Sequence, residues 1–357
     1  MDKFTILNAV LMDQSTYISH LTEEAIKAEN ISAGKCFLCG QDPSSGAGEH
    51  VIPKWLQRRY DLYDKQLTLL NGTLLFYRNL TVPACSSCNN KTLKRTEDFV
   101  SNIIPSNITD WTPNHSFEVG RWMAKIFLGV LIKETSLSLN MKHPAEGSIV
   151  PTNYIGELFF IHLLIQSWRK KITFNCLHTI HPFTLYVYQI EEDPLHSNFD
   201  MTTNVIGQSI CIRFGGLGFA FVADGGLQHH SGRLGPFGLA FQKLHPIQFS
   251  EIAARIHYKA ALRNVTHKYL FHEDLETFTL TQTAVAPYSN TKLSNGEMEL
   301  FKPWDDSEFK YALQAYGIPN IEHLTDNNGT VKFTRLVDEA GKLLQLSKIC
   351  KTGDEGT

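Results

Sequence analysis

With 357 residues, the chain is long enough for two or three domains with sizeable cores. Its 43% hydrophobic and 19% charged content fits a soluble globular protein. The net charge of −3 excludes a chain that attracts nucleic acid over its whole surface, so any phosphate contact must come from a local cluster.

Residues 1–34 read as a leader. Glu23 to Glu29 suits a short helix, with Thr22 as its N-cap and two acids in the first turn. No basic stretch followed by an apolar core is present there, so no signal peptide is expected. No apolar run reaches bilayer length: the longest, Val119 to Ile132, contains Arg121 and Lys125. The seven cysteines include four at metal-ligand spacing, while Cys176, Cys211 and Cys350 are scattered. That pattern fits a reducing cytoplasm better than a secreted disulfide framework.

Residues 35–105 carry the chemistry. Cys36-Phe-Leu-Cys39 and Cys85-Ser-Ser-Cys88 are two C-x-x-C pairs, and two such pairs close a tetrahedral zinc shell with no open position. Structural zinc is therefore expected at Cys36, Cys39, Cys85 and Cys88. A plain zinc ribbon that only stiffens a loop would need nothing more. Here Glu49-His50-Val-Ile-Pro53-Lys54 lies between the pairs, and Asn89-Asn90 follows the last cysteine. The Glu49 carboxylate and the Asn89 carbonyl oxygen are hard ligands suited to magnesium or manganese. His50, beside a metal ligand, can take a proton from water. Attack of that water on a phosphate held by the metal is phosphodiester hydrolysis. Basic residues outnumber acids between Lys35 and Glu97; Lys54, Arg58, Arg59, Lys91, Lys94 and Arg95 are the candidate nucleic-acid contacts, with a merely solvated face as the other reading. Trp55, Tyr60 and Tyr63 either pack on the core or line a groove for DNA.

These residues resemble the HNH, or ββα-metal, endonuclease superfamily, and within it the four-cysteine branch. The resemblance covers roughly residues 35 to 98. It implies a β-β-α order: a strand ending at His50–Pro53, a second strand from Leu74–Tyr77 and Leu80–Pro83, and a helix from Asn89. It implies that Glu49 and Asn89 hold the catalytic ion, that His50 is the general base and that Asn79 orients it. No histidine follows Asn89 at helical spacing, which leaves the third metal ligand open, with Asn90 and Glu97 as candidates matched by no firm motif. The implied activity is metal-dependent cleavage of DNA, with RNA open beside it. By analogy alone, the resemblance also suggests a place in bacterial defence against foreign DNA. A homo-oligomer or a defence-system partner is left open, and no membrane is implied. The competing reading is a zinc-stabilised module that binds nucleic acid without cutting it.

The remainder, 106–357, is expected to be an α+β accessory domain for substrate selection or sensing, with an antiparallel sheet and flanking helices. Val119, Trp122, Met123, Ile126, Phe127, Val130 and Leu131 recur at helical spacing, predicting a helix over 116–134 capped by Ser116. Tyr154 to Trp168 is a second apolar helix. From Ile172 strands follow: Phe183 to Ile190, then a hairpin of Val205–Phe214 and Leu217–Ala223 turning at Gly215-Gly216. His229-His230 sits in a glycine-rich loop, where solvation is the plainer reading than metal. A helix capped by Ser250 runs to Leu262, another begins near Asp305-Asp306, and Val331 to Leu346 suits a hairpin. The chain also bears a weaker resemblance to bacterial proteins that join a Glu-His-Val-Ile-Pro-Lys-Trp module to a Trp-x-x-Lys-Ile helix and an Asp-Gly-Gly strand end.

Overall fold

Short strands, capped helices and hairpin turns assemble an α+β fold. The computed structural model describes residues 26–43, 48–104, 110–176, 179–224, 242–273, 277–287, 300–318, 336 and 342–346. The chain divides into two compact units, residues 1–176 with 269–283 and residues 177–268 with 284–357.

In the first unit, α1 (Ala28–Ser32) precedes the first cysteine pair. Next come β1 (Glu49–His50), α2 (Lys54–Arg59), β2 (Gln66–Thr68), β3 (Leu74–Phe76) and β4 (Thr81–Val82). β1 pairs antiparallel with β4, setting Glu49 opposite Val82 and His50 opposite Thr81. β3 does not extend that pair. It closes a separate hairpin with β2, whose tight turn places Gly72 at φ +81°, a conformation open to glycine. After β4 the chain passes Cys85 and enters a π-helical turn, Cys88–Leu93, that runs into α3 (Lys94–Ile103). The β-β-α order is thus present, with the β2–β3 hairpin inserted between its strands.

The long helix α4 (Pro113–Thr135) starts earlier than its apolar stripe suggests. Thr112, not Ser116, caps it: its side chain accepts the His115 N–H while His115 Nδ1 accepts the Thr112 N–H. Pro113 occupies the first turn, where no N–H is needed and φ is already helical. Although the sequence groups this helix with the downstream domain, it packs on the cysteine module. Trp122 stacks on Trp55 with ring centres 6.4 Å apart and planes at 27°. That stacking favours the packing role for Trp55. Gly129 lies so close to Val51 that an added Cβ would sit 2.9 Å from its Cγ2. The expected second helix is two, α5 (Thr152–Glu157) and α6 (Phe159–Gln166), broken at Leu158. His162 Nε2 donates to the Phe37 carbonyl at 2.9 Å, and the Gln166 amide donates to the Leu38 carbonyl, so α6 grips the first cysteine turn. β5 (Ile172–Asn175) follows.

The second unit holds β6 (Thr184–Ile190), β7 (Phe199–Asn204), β8 (Ser209–Phe214), β9 (Leu217–Val222) and β10 (Lys243–Leu244), in the sheet order β10-β6-β9-β8-β7. All neighbours are antiparallel except β10 and β6. The β8–β9 turn falls at Gly215-Gly216 as read from sequence, with Gly215 at φ +54°. α7 (Pro246–Ala261) lays Phe249, Ile252 and Ile256 in one core with Tyr188, Ala220 and Val222. His245, not Ser250, caps α7, in a capping box completed by Gln248. β11 (Val265–Glu273) and β12 (Phe278–Pro287) follow, and within the first unit β12 runs parallel to β5, matching Phe278 with Ile172. Leu163 of α6 packs with Phe278 and Leu280 there. α8 (Asp306–Ala315) is capped by Asp305, as its sequence implies. The start of the leader helix, His229-His230 and most of the hairpin over 331–346 lie outside the described residues. Among the described residues, no helix is long and apolar enough to cross a membrane.

Gly129→Val should force Val51 aside. The overpacking is expected to cost about 1–3 kcal/mol of stability, more than the few tenths gained in helix propensity. Denaturant unfolding measures this; an unchanged midpoint would contradict the α4–Val51 packing.

Candidate functional site

The cysteine pairs meet because their turns are pinned to one another. Phe37 N–H donates to the Pro83 carbonyl at 3.0 Å, and Gly40, at φ +72°, lets its N–H fold back to the Cys36 carbonyl at 2.8 Å. The sulfurs of Cys36, Cys39, Cys85 and Cys88 all lie within 4.8 Å of one another, and none is in a disulfide. Cys39 and Cys85 are 3.6 Å apart, sulfur to sulfur. A tetrahedral zinc with bonds of about 2.3 Å needs sulfurs about 3.8 Å apart. The donor set therefore fits zinc, and the four-cysteine cluster can hold one ion. Without a cation the thiols work against each other. A hydrogen bond from Cys88 holds Cys36 down to about 4, while burial pushes Cys39 up to about 11.

Beside this cluster, β1 and the π-helical turn line a small cleft of about 190 Å³. Its walls are Gly48, Glu49, His50, Lys54, Asn89, Asn90, Lys94 and Glu97. Neighbours in a strand face opposite ways, yet Glu49 and His50 share the cleft. β1 is only two residues long, and its pairing ends where the Val51 N–H donates to the Leu80 carbonyl at 3.0 Å. The chain then bends at Val51-Ile52 into α2. Gly48 admits a close approach: an added Cβ would lie 2.4 Å from the Val82 carbonyl oxygen, so only glycine lets β4 come so near. Asn89 is delivered by π-helical backbone, a geometry enriched at functional sites.

The electrostatics of the cleft centre on a residue that the sequence places among apolar neighbours. Lys125 of α4, 1% exposed, places Nζ 2.5 Å from Glu49 Oε1 and 2.8 Å from Glu97 Oε1. It also donates to the His50 carbonyl at 3.1 Å. Burial opposes the Lys125 charge, but the two carboxylates outweigh it and hold the ammonium above the usual lysine range. Burial raises Glu97 to about 7; Lys125 opposes the rise and Glu49 adds to it. Burial, and then the Lys54 charge, lower the His50 imidazole below its ordinary value, which favours its neutral form near pH 7.

Not every expected residue gathers here. Lys54 and Lys94 line the cleft; Arg58, Arg59, Lys91 and Arg95 are exposed outside its lining. Asn79 ends a 3₁₀ turn, is exposed and does not line the cleft. Among the described residues, no side chain hydrogen-bonds the His50 ring, so an orienting bond from Asn79 is not made in this conformation. Sequence reasoning misses Lys125 because its partners are 28 and 76 residues away. Its one signal is a lysine set in a stripe with Trp122, Met123 and Ile126.

In the second unit, Asp193, His196 and His245 also cluster. Asp193 Oδ2 lies 2.8 Å from both His196 Nδ1 and His245 Nε2. His245 Nδ1 accepts the Ile247 N–H at 3.3 Å as part of the α7 cap. Assigned on that bond, the proton of His245 sits on Nε2, which then donates to Asp193 and has no lone pair for a metal. The group reads as a network that ties the 193–196 turn to the start of α7.

One zinc ion per chain is expected in native mass spectra of the protein. Cys85→Ser should lose it, because three thiolates leave the shell open. Four freely reactive thiols in zinc-free native protein would contradict the assignment.

Comparison with protein-family models, curated proteins and solved structures finds no match to this chain.

Proposed function

We propose that the chain is an HNH-type endonuclease that hydrolyses phosphodiester bonds in DNA, with Glu49, Asn89 and Glu97 holding one magnesium or manganese ion. The observation that carries this reading is the cleft itself. A carboxylate, an imidazole and a carboxamide, drawn from sequence positions 40 residues apart (49 to 89), line one small hollow beside a zinc-type cluster. Glu97 supplies the third ligand that the motif left open, and its oxygen suits a hard cation. The ion supplies charge relief at the phosphate and the leaving oxygen. His50 accepts the proton of the attacking water. Lys54 and Lys94, at the rim, attract the phosphodiester and hold it over the base. A hollow of about 190 Å³ is small beside ordinary ligand sites of roughly 300–1,000 Å³. It suits a phosphate better than a base, which agrees with backbone cleavage.

One observation favours the second reading, a zinc-stabilised module that binds nucleic acid and cuts nothing. Lys125 already satisfies an oxygen of Glu49 without any metal. Plasmid nicking with and without magnesium separates the two. His50→Ala is expected to keep zinc, fold and DNA binding but to lose cleavage by about 10²–10⁴-fold, the usual effect of removing a general base. Glu49→Ala and Asn89→Ala should lose cleavage too, with partial recovery in excess manganese that His50→Ala does not share. Wild-type rates in purified His50→Ala would favour the binding module. A role in defence against foreign DNA goes with the nuclease reading and is tested by phage challenge of cells carrying wild type or His50→Ala.

A further inference from the structure

The buried ammonium of Lys125 is not used by the hydrolytic scheme, yet it touches two of the proposed ligands. A lysine carries three N–H donors. Those of Lys125 are taken by Glu49 Oε1 at 2.5 Å, Glu97 Oε1 at 2.8 Å and the His50 carbonyl at 3.1 Å. The Val51 carbonyl is more distant at 3.5 Å. A single group thereby ties the carboxylate of β1, the carboxylate of α3 and the backbone of the proposed base. Lys125 does not itself line the cleft, so it works through Glu49 and Glu97 rather than on substrate. Tying Oε1 of each carboxylate fixes the rotation of that group, and so fixes the direction in which Oε2 points.

We propose that Lys125 is a positioning residue of the cleft: from a helix outside the motif, it orients Glu49 and Glu97 toward the ion. The inference rests on the hydrolytic reading. Partners that orient metal ligands typically change metal affinity or activity by about 10–100-fold when removed.

The test uses the full chain in four forms: wild type, Lys125→Met, Glu97→Gln and the double variant Lys125→Met/Glu97→Gln. The double variant removes one charge of each sign and so guards against Lys125→Met failing to fold. Mn²⁺ uptake is read from loss of the free-ion electron paramagnetic resonance signal, alongside zinc content, metal-free DNA binding, and kcat and KM for cleavage. Wild type is expected to bind one Mn²⁺ per chain. The double variant is expected to keep zinc and DNA affinity, to bind Mn²⁺ about tenfold or more weakly than Glu97→Gln alone, and to lose kcat with KM for DNA unchanged. A merely structural lysine would not split kcat from KM in a protein that stays folded. If the double variant matches Glu97→Gln in Mn²⁺ affinity and kcat, the inference is overturned while the nuclease reading stands. Folded wild type that neither binds Mn²⁺ nor cuts DNA overturns both.

Discussion

The first unit is built around an ammonium that cannot reach water. Burying lysine and two carboxylates costs several kcal/mol per ion, and only close, well-satisfied geometry repays it. Lys125 meets that condition with three oxygen partners from two other elements. Losing one partner of such a group typically costs about 3–5 kcal/mol, because the remaining charge is stranded. β1, α3 and α4 are therefore held in one register, and the apolar packing on either side follows from it. Trp122 stacks on Trp55 one turn before Lys125, and Gly129 admits Val51 one turn after it. A motif that looks like a detachable 70-residue module on sequence is completed by a helix beyond it.

The two donor clusters are kept apart by chemistry as well as by space. Four sulfurs select a soft or borderline ion and leave no vacancy, while the cleft sets carboxylate and carboxamide oxygens and one imidazole beside the Lys54 and Lys94 ammoniums. Cys88 and Asn89 are adjacent, so filling the sulfur shell also anchors the start of the π-helical turn that presents Asn89. Backbone bonds strengthen the same link: the Asn89 N–H donates to the Cys85 carbonyl at 2.9 Å. In the proposed enzyme, the structural ion would thus set the position of a ligand for the catalytic one.

What was legible in the sequence was local. C-x-x-C spacing, the Glu-His pair and the cysteine–asparagine step each lie within a few residues, although bringing them together takes contacts between distant stretches, such as the Phe37 N–H bond to the Pro83 carbonyl. The Gly215-Gly216 hairpin and the Asp305 cap were readable for the same reason. Caps at Thr112 and His245 were not, because apolar periodicity marks the buried face of a helix and not its first turn. Ser116 and Ser250 lie where that face begins, but the chain turns helical earlier, at Pro113 and Pro246. Lys125 was invisible as a site residue for a deeper reason. Its meaning depends on Glu49, 76 residues earlier, and nothing in a linear pattern pairs them. Leu74–Tyr77 is apolar enough for either hairpin, and the tight turn at Gly72 decides in favour of β2.

The size of the cleft bears on how any substrate would be chosen. A hollow of about 190 Å³ rimmed by Lys54 and Lys94 can address a phosphate, and phosphate contacts carry no sequence information. Arg58, Arg59, Lys91 and Arg95 lie exposed outside that lining, and they too are suited to phosphate contacts. With a chain-wide charge of −3, the proposed enzyme would draw DNA through these local cations and not through the protein at large. If the cleft cuts, its chemistry is indifferent to base identity. Any preference for sequence or structure must then arise from base-edge contacts or strand geometry read by residues outside the cleft.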